Sequence, residues 1–422
     1  MKSKLIMVLL TLSSWSVYAQ QTLELDTCIA HAYQKLEYDK ITQSYNESAE
    51  LAQKNASTNW YPSLDIDGTF TYQNENINIP ITAPIPGFTS PVAPLNINRV
   101  VLNISQTIYD GSVTANVKKV EQAKYDNLKK QVDVDKAKIK AQVTQLFITI
   151  NLMDANTQIL TDKKTILQDR LKVLNSAAKA GSVPPVNIKM LQAELMNLDQ
   201  VILEAKFGNQ ALRASLSEIT GLSVLLDTKL VIPVAQVTYS DDVTQRAELQ
   251  MLDLQMRSLD AQRGLTATAR LPKVSAFASV GAGNPGYDIF KESISPMAMV
   301  GVKLKWNVWD WNKTKNSKQV ISVSQQIIST KKSQATTQFV SELRVQQLEI
   351  EKYKMLLQQD ENVVKIRQEI TEVKAAELTN GTITTTAYLE ELNKENEAKL
   401  NVEVHRLKLV MAQLNYLIIQ GK

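Results

Sequence analysis

Few residues of this 422-residue chain have the types and spacing that chemistry requires. Its two histidines, His31 and His405, lie far apart in stretches of helical periodicity, which favours packing or surface roles over a metal site or a catalytic base. The sequence contains no serine elbow, phosphate-binding loop, metal-ligand pair or paired-carboxylate motif. We therefore expect a protein that is not an enzyme and that needs no cofactor and no metal.

Cys28 is the single cysteine, so no disulfide within the chain can brace the fold. Stability must then come from packing. A second interpretation makes Cys28 a lipid-modified N-terminus, but Asp26 and Thr27 precede it and the apolar run at the start of the chain ends well upstream. We favour the packing role.

Residues 1–19 have the layout of a secretory signal peptide. Lys2 and Lys4 precede an apolar run from Leu5 to Leu12, and small residues at Val17-Tyr18-Ala19 suit a cleavage site. A membrane anchor is the alternative, but the run is shorter than the ~20 residues of a spanning helix. The formal net charge is only +4 and falls when this segment is removed, so no nucleic-acid partner is expected.

The chain contains an internal duplication, because the same motifs recur in the same order in its second half. Such a long repeat indicates a duplicated domain half. We predict a first structural repeat at 20–221, a connecting segment at 222–245 and a second repeat at 246–422. The matching motifs are Asp110-Gly111 with Asp310-Trp311, Ala180-Gly181-Ser182-Val183 with Asn380-Gly381-Thr382-Ile383, and Tyr61-Pro62 with Leu271-Pro272.

Each repeat is expected to contain one very long helix. Residues 112–178 lack proline and glycine and carry apolar residues at alternating steps of four and three, and about 313–378 repeats this at strict sevens. A helix of that length spans roughly 100 Å, so it must belong to a rod or a wall. Gly181 and Gly381 then mark the ends of two helical hairpins. Shorter helices are predicted at about 24–58, 186–220, 242–270 and 384–420.

Two strands with period-two alternation precede each long helix. A charged and an apolar face suit a soluble sandwich or a membrane barrel, and aromatic residues near the strand ends favour the barrel. Four strands cannot close a barrel, so the chain must oligomerise. Two copies would fill the interior with side chains, whereas three leave room for a passage. The strands are about 64–73, 100–108, 274–283 and 300–308, and 77–98 reads as an extracellular loop.

The chain resembles the TolC family of outer-membrane efflux proteins over essentially the whole mature length. The resemblance depends on the order of several motifs within the duplicated plan. These are Leu23-Glu24-Leu25-Asp26-Thr27-Cys28-Ile29, Tyr61-Pro62-Ser63-Leu64, Ile108-Tyr109-Asp110-Gly111, and Arg246-Ala247-Glu248-Leu249, where the family has Arg-Pro-Glu-Leu.

The resemblance implies a mainly α protein in which three copies form one twelve-stranded transmembrane β-barrel and a periplasmic α-barrel tunnel. Residues 222–245 would lie near an equatorial band. The protein would be the outer-membrane component of a tripartite efflux or type I secretion system. Its expected partners are outer-membrane lipid, a periplasmic adaptor (membrane fusion protein) and an inner-membrane transporter. The adaptor would contact the tips at Gly181, Ser182, Val183, Gly381, Thr382 and Ile383.

The family resemblance also implies a tunnel constriction at Asn187, Ile383, Ala387 and Glu390. The family's arginine falls at Ile383, so its ionic latch is not expected here, and only Glu390 keeps a charge. A surface pair of Glu390 with Lys394, one helical turn on, is the alternative. Two other classes stay open, a periplasmic coiled-coil adaptor and a structural or adhesive protein, although neither explains duplicated hairpins together with strands.

Overall fold

The computed structural model describes residues 22–76, 92–180 and 183–422. The predicted signal peptide, Gly181, Ser182 and most of the predicted 77–98 loop lie outside these ranges. The helices are α1 (Leu25–Lys35), α2 (Tyr38–Ser57), α3 (Val113–Lys179), α4 (Pro185–Thr220), α5 (Ala247–Ala267), α6 (Lys313–Thr379) and α7 (Thr385–Gln420). The strands are β1 (Thr22–Glu24), β2 (Ser63–Tyr72), β3 (Asn96–Tyr109), β4 (Lys229–Val231), β5 (Lys273–Asn284) and β6 (Ser295–Lys305).

The long helices and their partners recur with equal lengths. Helices α3 and α6 each have 67 residues, and α4 and α7 each have 36. Their limits fall within a residue or two of the predicted ones, because a long run without proline or glycine leaves few places for a helix to stop. No helix in 22–76, 92–180 and 183–422 combines the length and the apolar character that a membrane crossing requires.

Both long helices begin with the same turn. Gly111 and Ser112 have φ of 65° and 65°, and the equivalent Trp311 and Asn312 have 52° and 65°. Asp110 Oδ2 then accepts a hydrogen bond from the Thr114 backbone N–H at 2.7 Å, and Asp310 Oδ2 accepts one from Thr314 at 2.9 Å. A carboxylate at this place satisfies free helix donors and opposes the positive end of the helix dipole.

These caps lower the pKa of both carboxyl groups. Burial alone would raise the pKa of Asp110, but hydrogen bonds from Thr114, Ser112 and Val113 outweigh it and hold the pKa below its ordinary value. The hydroxyl and N–H of Thr314 lower the pKa of Asp310 in the same way. Both residues are therefore charged caps at neutral pH, and their contribution to stability is lost as the pH falls through the lowered pKa.

The two shorter helices that precede the strands differ from their predicted limits. The helix predicted at 24–58 is broken after Lys35 by Glu37, whose φ is 52°. Apolar spacing is insensitive to one left-handed residue, so the break was missed. The helix predicted from 242 begins at Ala247 because Asp242 Oδ1 accepts hydrogen bonds from the Thr244 N–H and hydroxyl, at 2.9 and 2.7 Å. Such local bonding competes with helix formation.

The main sheet is four-stranded and antiparallel, in the order β2-β3-β5-β6. Its centre joins the two repeats, since β3 of the first pairs with β5 of the second. Strands β2 and β6 form its two edges. Strand β6 spans Ser295–Lys305, so it lies earlier than the predicted 300–308, and Trp306 and Val308 follow it.

A second, two-stranded sheet was not predicted. Strands β1 and β4 pair in parallel, and Leu23 and Leu230 of these strands are buried. Three residues are too few to show a period of two, which is why the sequence gave no signal. The pairing ties part of the 222–245 segment to the start of the described chain.

The chain divides into two compact units, and each takes segments from both repeats. The first has its described residues in Met1–Asp39, Val134–Arg246 and Thr337–Lys422. The second comprises Lys40–Asp133 and Ala247–Thr336. These units cut across the predicted repeats, whose limits remain predictions.

The first unit contains two apolar clusters. One gathers Cys28, Phe147, Leu216 and Leu407 from four different helices, all nearly inaccessible to solvent. Burial raises the pKa of the Cys28 thiol to about 11, so this cysteine is a packing residue. The second cluster lies beside Gly381 and contains heptad positions of both long helices. Its buried members are Leu167, Leu174, Val183, Leu191, Leu198, Ile202, Ala375, Leu378, Tyr388 and Leu392.

A buried arginine organises the segment after α4. Arg213 is 2 % exposed and donates through Nη1 to the carbonyl oxygens of Leu225 and Thr228, at 2.6 and 2.9 Å. Its Nη2 lies 2.6 Å from Asp154 Oδ2 on α3. The guanidinium thus provides hydrogen bonds to carbonyl groups of the segment between α4 and α5. Among the described residues of this segment, β4 is the only regular secondary structure.

We expect Asp154→Asn to destabilise the first unit, because Arg213 would keep a buried charge without its counterion. Asp154 is 38 % exposed, so we reduce the usual penalty for a broken buried pair to about 2 kcal/mol. The thermal unfolding midpoint should fall accordingly. Asp241→Asn is the control, since its partner Arg344 is exposed and the change should stay within about 0.5 kcal/mol. Equal midpoints for both variants would contradict this role of Arg213.

Candidate functional site

The four-stranded sheet has one exposed apolar face. Strand pairing places Ile66 opposite Leu102, and Leu102 opposite Val280. Val300 and Ile66 are 81 % and 75 % exposed. A soluble monomer rarely exposes so continuous an apolar surface, so this face is suited to contact with lipid or protein. Its exposed members include Leu64, Ile66, Phe70, Tyr72, Val100, Leu102, Val280, Val300, Val302 and Leu304.

The opposite face of the same sheet carries most of its polar side chains, together with Phe277, Met297 and Met299. Ser279 Oγ donates to Asn103 Oδ1 at 2.6 Å, and Asn103 Nδ2 donates to Asp67, which links three strands in a row. Lys303 and Lys305 lie on this face farther along the sheet. The period-two alternation predicted for the strands therefore gives a sheet with one apolar face and one face that holds most of the polar residues, as in a transmembrane barrel.

Aromatic side chains lie at both ends of the apolar face. Tyr72 ends β2, where it is 72 % exposed. Trp306, Trp309 and Trp311 follow β6 at the opposite end, and the rings of Trp309 and Trp311 pack edge to face with centroids 6.0 Å apart. Exposed aromatic residues at both ends of the strands match the belts that anchor barrels at the membrane interfaces.

The second helical hairpin turns at Gly381, whose φ is 75°. The Gly381 N–H donates to the Leu378 carbonyl at 3.1 Å, and the Thr382 N–H donates to the Glu377 carbonyl at 3.0 Å. This pair of bonds is the Schellman motif, a left-handed cap at the C-terminal end of a helix. Gly381 and Thr382 are exposed, whereas Ile383 packs partly against the second apolar cluster.

The first hairpin turn is described up to Ala180 on the α3 side and again from Val183 on the α4 side. Val183 is 3 % exposed and packs in the second apolar cluster, so little of its side chain is available to a partner. Pro184 caps α4 and Pro185 is its first residue, where the missing N–H costs nothing. The adaptor contacts predicted for this turn remain predictions, and Gly181 and Ser182 lie outside the described residues.

The four predicted constriction residues have different surroundings within one chain. Asn187 is buried, Ile383 and Ala387 are half-buried, and Glu390 has 65 % of its side chain exposed. Lys394 Nζ donates to Glu390 Oε1 at 2.8 Å, and this bond, together with a second to Glu391, raises the pKa of Lys394. The surface pair considered for Glu390 therefore exists, and its role at a constriction stays a prediction.

Arg170 makes contacts between helices that were not predicted from the sequence. It lies on α3, and its Nη1 donates to the Ala375 carbonyl at 3.2 Å and the Thr379 hydroxyl at 3.0 Å, both near the end of α6. Its guanidinium also lies 5.4 Å from the ring centre of Tyr388 on α7. A cation near the negative end of a helix is favourable, and here it joins the two hairpins. Heptad spacing does not reveal it, because it contacts helices of the other repeat.

The surroundings of the two histidines fit packing and surface roles. His405 Nδ1 lies 2.6 Å from Asp360 Oδ2, and the His405 ring packs against that of Tyr353 at 5.8 Å. His31 is exposed on α1. Within the described ranges, no three His, Cys, Asp or Glu side chains are grouped as a metal site requires.

The sequence matches no family model, and a comparison with curated proteins finds no match. Solved structures are similar at low identity. The outer-membrane protein VceC from Vibrio cholerae has 11 % identity and a TM-score of 0.69 over 94 % of this chain and 96 % of that one. The MtrE outer-membrane channel of Neisseria gonorrhoeae has 12 % and 0.68 over 94 % and 88 %. The CmeC outer-membrane channel of Campylobacter jejuni has 14 % and 0.64 over 94 % and 85 %.

The chain has the fold of outer-membrane factor channels, and the match extends over nearly its whole length. The resemblance to the TolC family that the motifs suggested is thus confirmed at the level of fold. The mainly helical composition with a few strands agrees with these structures.

We expect Arg170→Lys to loosen the end of α6, because a lysine keeps the charge but cannot reproduce the two bonds of one guanidinium nitrogen and its contact with Tyr388. Each lost hydrogen bond is worth about 1 kcal/mol, so amide exchange around 375–383 should accelerate several-fold. Hydrogen–deuterium exchange measures this. Arg344→Lys, at an exposed ion pair with Asp241, is the control and should leave those amides unchanged. Unchanged exchange in the Arg170 variant would show that it does not hold the hairpins together.

Proposed function

We propose that this chain is a passive export channel of a bacterial outer membrane and that three copies form it. Each copy would contribute its four strands to one transmembrane barrel and its long helices to a periplasmic tunnel. The fold shared with outer-membrane channel proteins supports this proposal. A duct that opens and closes needs no catalytic group, which is consistent with a protein that is not an enzyme.

The observation that carries the proposal is the amphipathic sheet with its two open edges. In the hydrocarbon region, an unpaired backbone group costs several kcal/mol, so strands cross a membrane only within a closed barrel. Four strands are too few to close one, while three copies supply about twelve and leave a passage. The exposed apolar face would then contact lipid, and the face with Asp67, Asn103 and Lys303 would line the passage.

The exposed turn of the second helical hairpin is the proposed binding site for a partner protein. Gly381 and Thr382 are exposed at the turn between α6 and α7, where a periplasmic adaptor could dock without unfolding either helix. We propose that this adaptor connects the channel to an inner-membrane transporter in a tripartite efflux or secretion system. Asn187, Ile383, Ala387 and Glu390, which lie close to the hairpin turns in sequence, are the proposed constriction.

Extraction from the outer membrane tests the proposal directly. Full-length protein in mild detergent should have a protein mass of three mature chains, and it should form ion-conducting channels in planar bilayers. A protein that stays soluble and monomeric without detergent would overturn it, because the apolar face would then be compatible with water. Membrane-inserted trimers that never conduct would also contradict the channel.

Gly381→Asn tests whether the hairpin turn docks with a partner. Asparagine tolerates the left-handed conformation, so the turn should keep its fold while gaining a side chain on the exposed surface. We expect export by cells to fall, with trimer mass and bilayer conductance unchanged. Gly221→Asn is the matched control. Gly221 also caps a helix, with φ of 72°, but it lies at the C-terminal end of α4, which is opposite to the end at the hairpin turn. Equal export in both variants would show that the turn is not a docking surface.

A further inference from the structure

The two edges of the main sheet have nearly equal length and opposite charge. Strand β2 has 10 residues and β6 has 11, and no other described strand pairs with their outer sides. Asp65 and Asp67 lie on the polar face of β2. Lys303 and Lys305 lie on the same face of β6. Complementary charges on two open edges indicate that one edge recognises the other in a second copy of the chain.

The lysines also lack neutralising partners within their own chain. Strand pairing places Lys305 directly opposite Lys273, and like charges in that position destabilise a sheet. Among the described residues, no ion pair includes Lys273, Lys303, Lys305, Asp65 or Asp67. The carboxylates of β2 are separated from β6 by β3 and β5, which puts them roughly 14 Å away at the usual strand spacing. A neighbouring copy could supply the missing countercharge.

The internal duplication provides a template for this contact. Strand β3 is the second of the two long strands in the first repeat. It pairs with β5, which is the first of the two strands in the second repeat. Strand β6 is the equivalent of β3, and β2 is the equivalent of β5. In a ring of identical chains, β6 would therefore pair with the next copy's β2 as β3 pairs with β5. Counting five residues back from Asp110 and Asp310 makes Ser105 equivalent to Lys305. Counting five on from Pro62 and Pro272 makes Asp67 equivalent to Phe277.

Ser105 and Phe277 are directly opposite in the β3–β5 pair. We propose that β6 of one copy pairs antiparallel with β2 of the next in this same register, which places Lys305 opposite Asp67. The proposal builds on the trimeric channel above and adds the residues that align its copies. Lys303 then lies opposite Thr69, diagonal to Asp67, and Lys305 is diagonal to Asp65. A shift by two residues would keep every side chain on its face, so charge pairing is what selects among such registers.

The unequal strand ends agree with the proposed contact. Strand β3 reaches Tyr109, and its last residues are held by β5, whereas β6 stops at Lys305. The equivalent residues after Lys305, from Trp306 to Trp309, have no pairing strand in the described part of the chain. In the template register, the start of the next copy's β2 would pair with them and extend β6 to match β3.

At one end, the proposed contact between copies must differ from the β3–β5 contact within the chain. A Cβ atom at Gly111 would lie 2.9 Å from Leu271 Cβ, so only glycine fits there within the chain. Trp311 is the equivalent of Gly111, and Tyr61 is the equivalent of Leu271. Both are exposed, at 83 % and 67 %, so this end of the contact between copies must be wider and filled by aromatic rings.

Cysteine pairs test the register, in a chain with Cys28→Ala so that no native thiol competes. Lys303→Cys is combined with Asp65→Cys, Thr69→Cys or Gln73→Cys, all on one face. Directly opposite Cβ atoms lie about 5 Å apart, whereas a shift of four residues adds roughly 13 Å. Mild oxidation should link only the Thr69 pair into dimers and trimers on a denaturing gel. Preferred linkage of another pair, equal linkage of two neighbouring pairs, which a shift of two residues would give, or no linkage in an intact trimer would overturn the register.

Charge exchange tests what aligns the copies. Lys305→Asp or Asp67→Lys alone puts like charges opposite each other, so most of the detergent-stable trimer should be lost. Lys305→Asp combined with Asp67→Lys should restore it. Lys291→Glu, which lowers the net charge as much as Lys305→Asp does but lies in the loop between β5 and β6, should have no effect. Failure of the double variant to recover would refute the pairing of Lys305 with Asp67.

These results are distinguishable from failure of the channel itself. The unaltered chain is measured in parallel for trimer mass and conductance. If it neither trimerises nor conducts, the proposed function fails and the inference with it. If it does both while the Thr69 pair stays unlinked and the charge exchange does not rescue, the channel stands and the proposed register is wrong.

Discussion

The outer strands of the main sheet leave a row of backbone donors and acceptors without partners, and the rest of the fold depends on how these groups are satisfied. Strand β3 satisfies its own row because β5 lies beside it. Strands β2 and β6 have no such neighbour in their own chain. In water these groups bind solvent at little cost, but in lipid they must pair with protein. The hydrogen bonds of the sheet are therefore incomplete in lipid, which is one of the two surroundings that its exposed apolar face suits.

The change from strand to helix is the second requirement of this architecture. Two successive residues in the left-handed region reverse the chain before each long helix, and an aspartate then caps the helix. Gly111 takes this conformation easily, but Trp311 does so against the preference of a bulky residue. The turn has thus been kept in both repeats although the residue types have changed. Its geometry, rather than its sequence, is the duplicated feature.

Much of the architecture could be predicted because its elements are long. Sixty-seven residues with a regular apolar period identify α3 and α6 almost to the residue, and alternation locates the four strands, although β6 begins and ends earlier than predicted. The break at Glu37 and the three-residue β1 and β4 were missed because they are shorter than any period. The cap at Gly381 was predictable from a glycine that follows a periodic run. Arg170 was not, since its partners Ala375 and Thr379 are distant in sequence and neither residue type signals an arginine contact.

The two open edges of the sheet are different surfaces, so a contact between them is head-to-tail. Such contacts close into a ring only when the rotation from copy to copy returns to the start, and otherwise they extend into a filament. In a head-to-tail contact, the curvature of the sheet sets the number of chains that complete a ring. An exposed pair of complementary edges is therefore an aggregation hazard until a ring has closed.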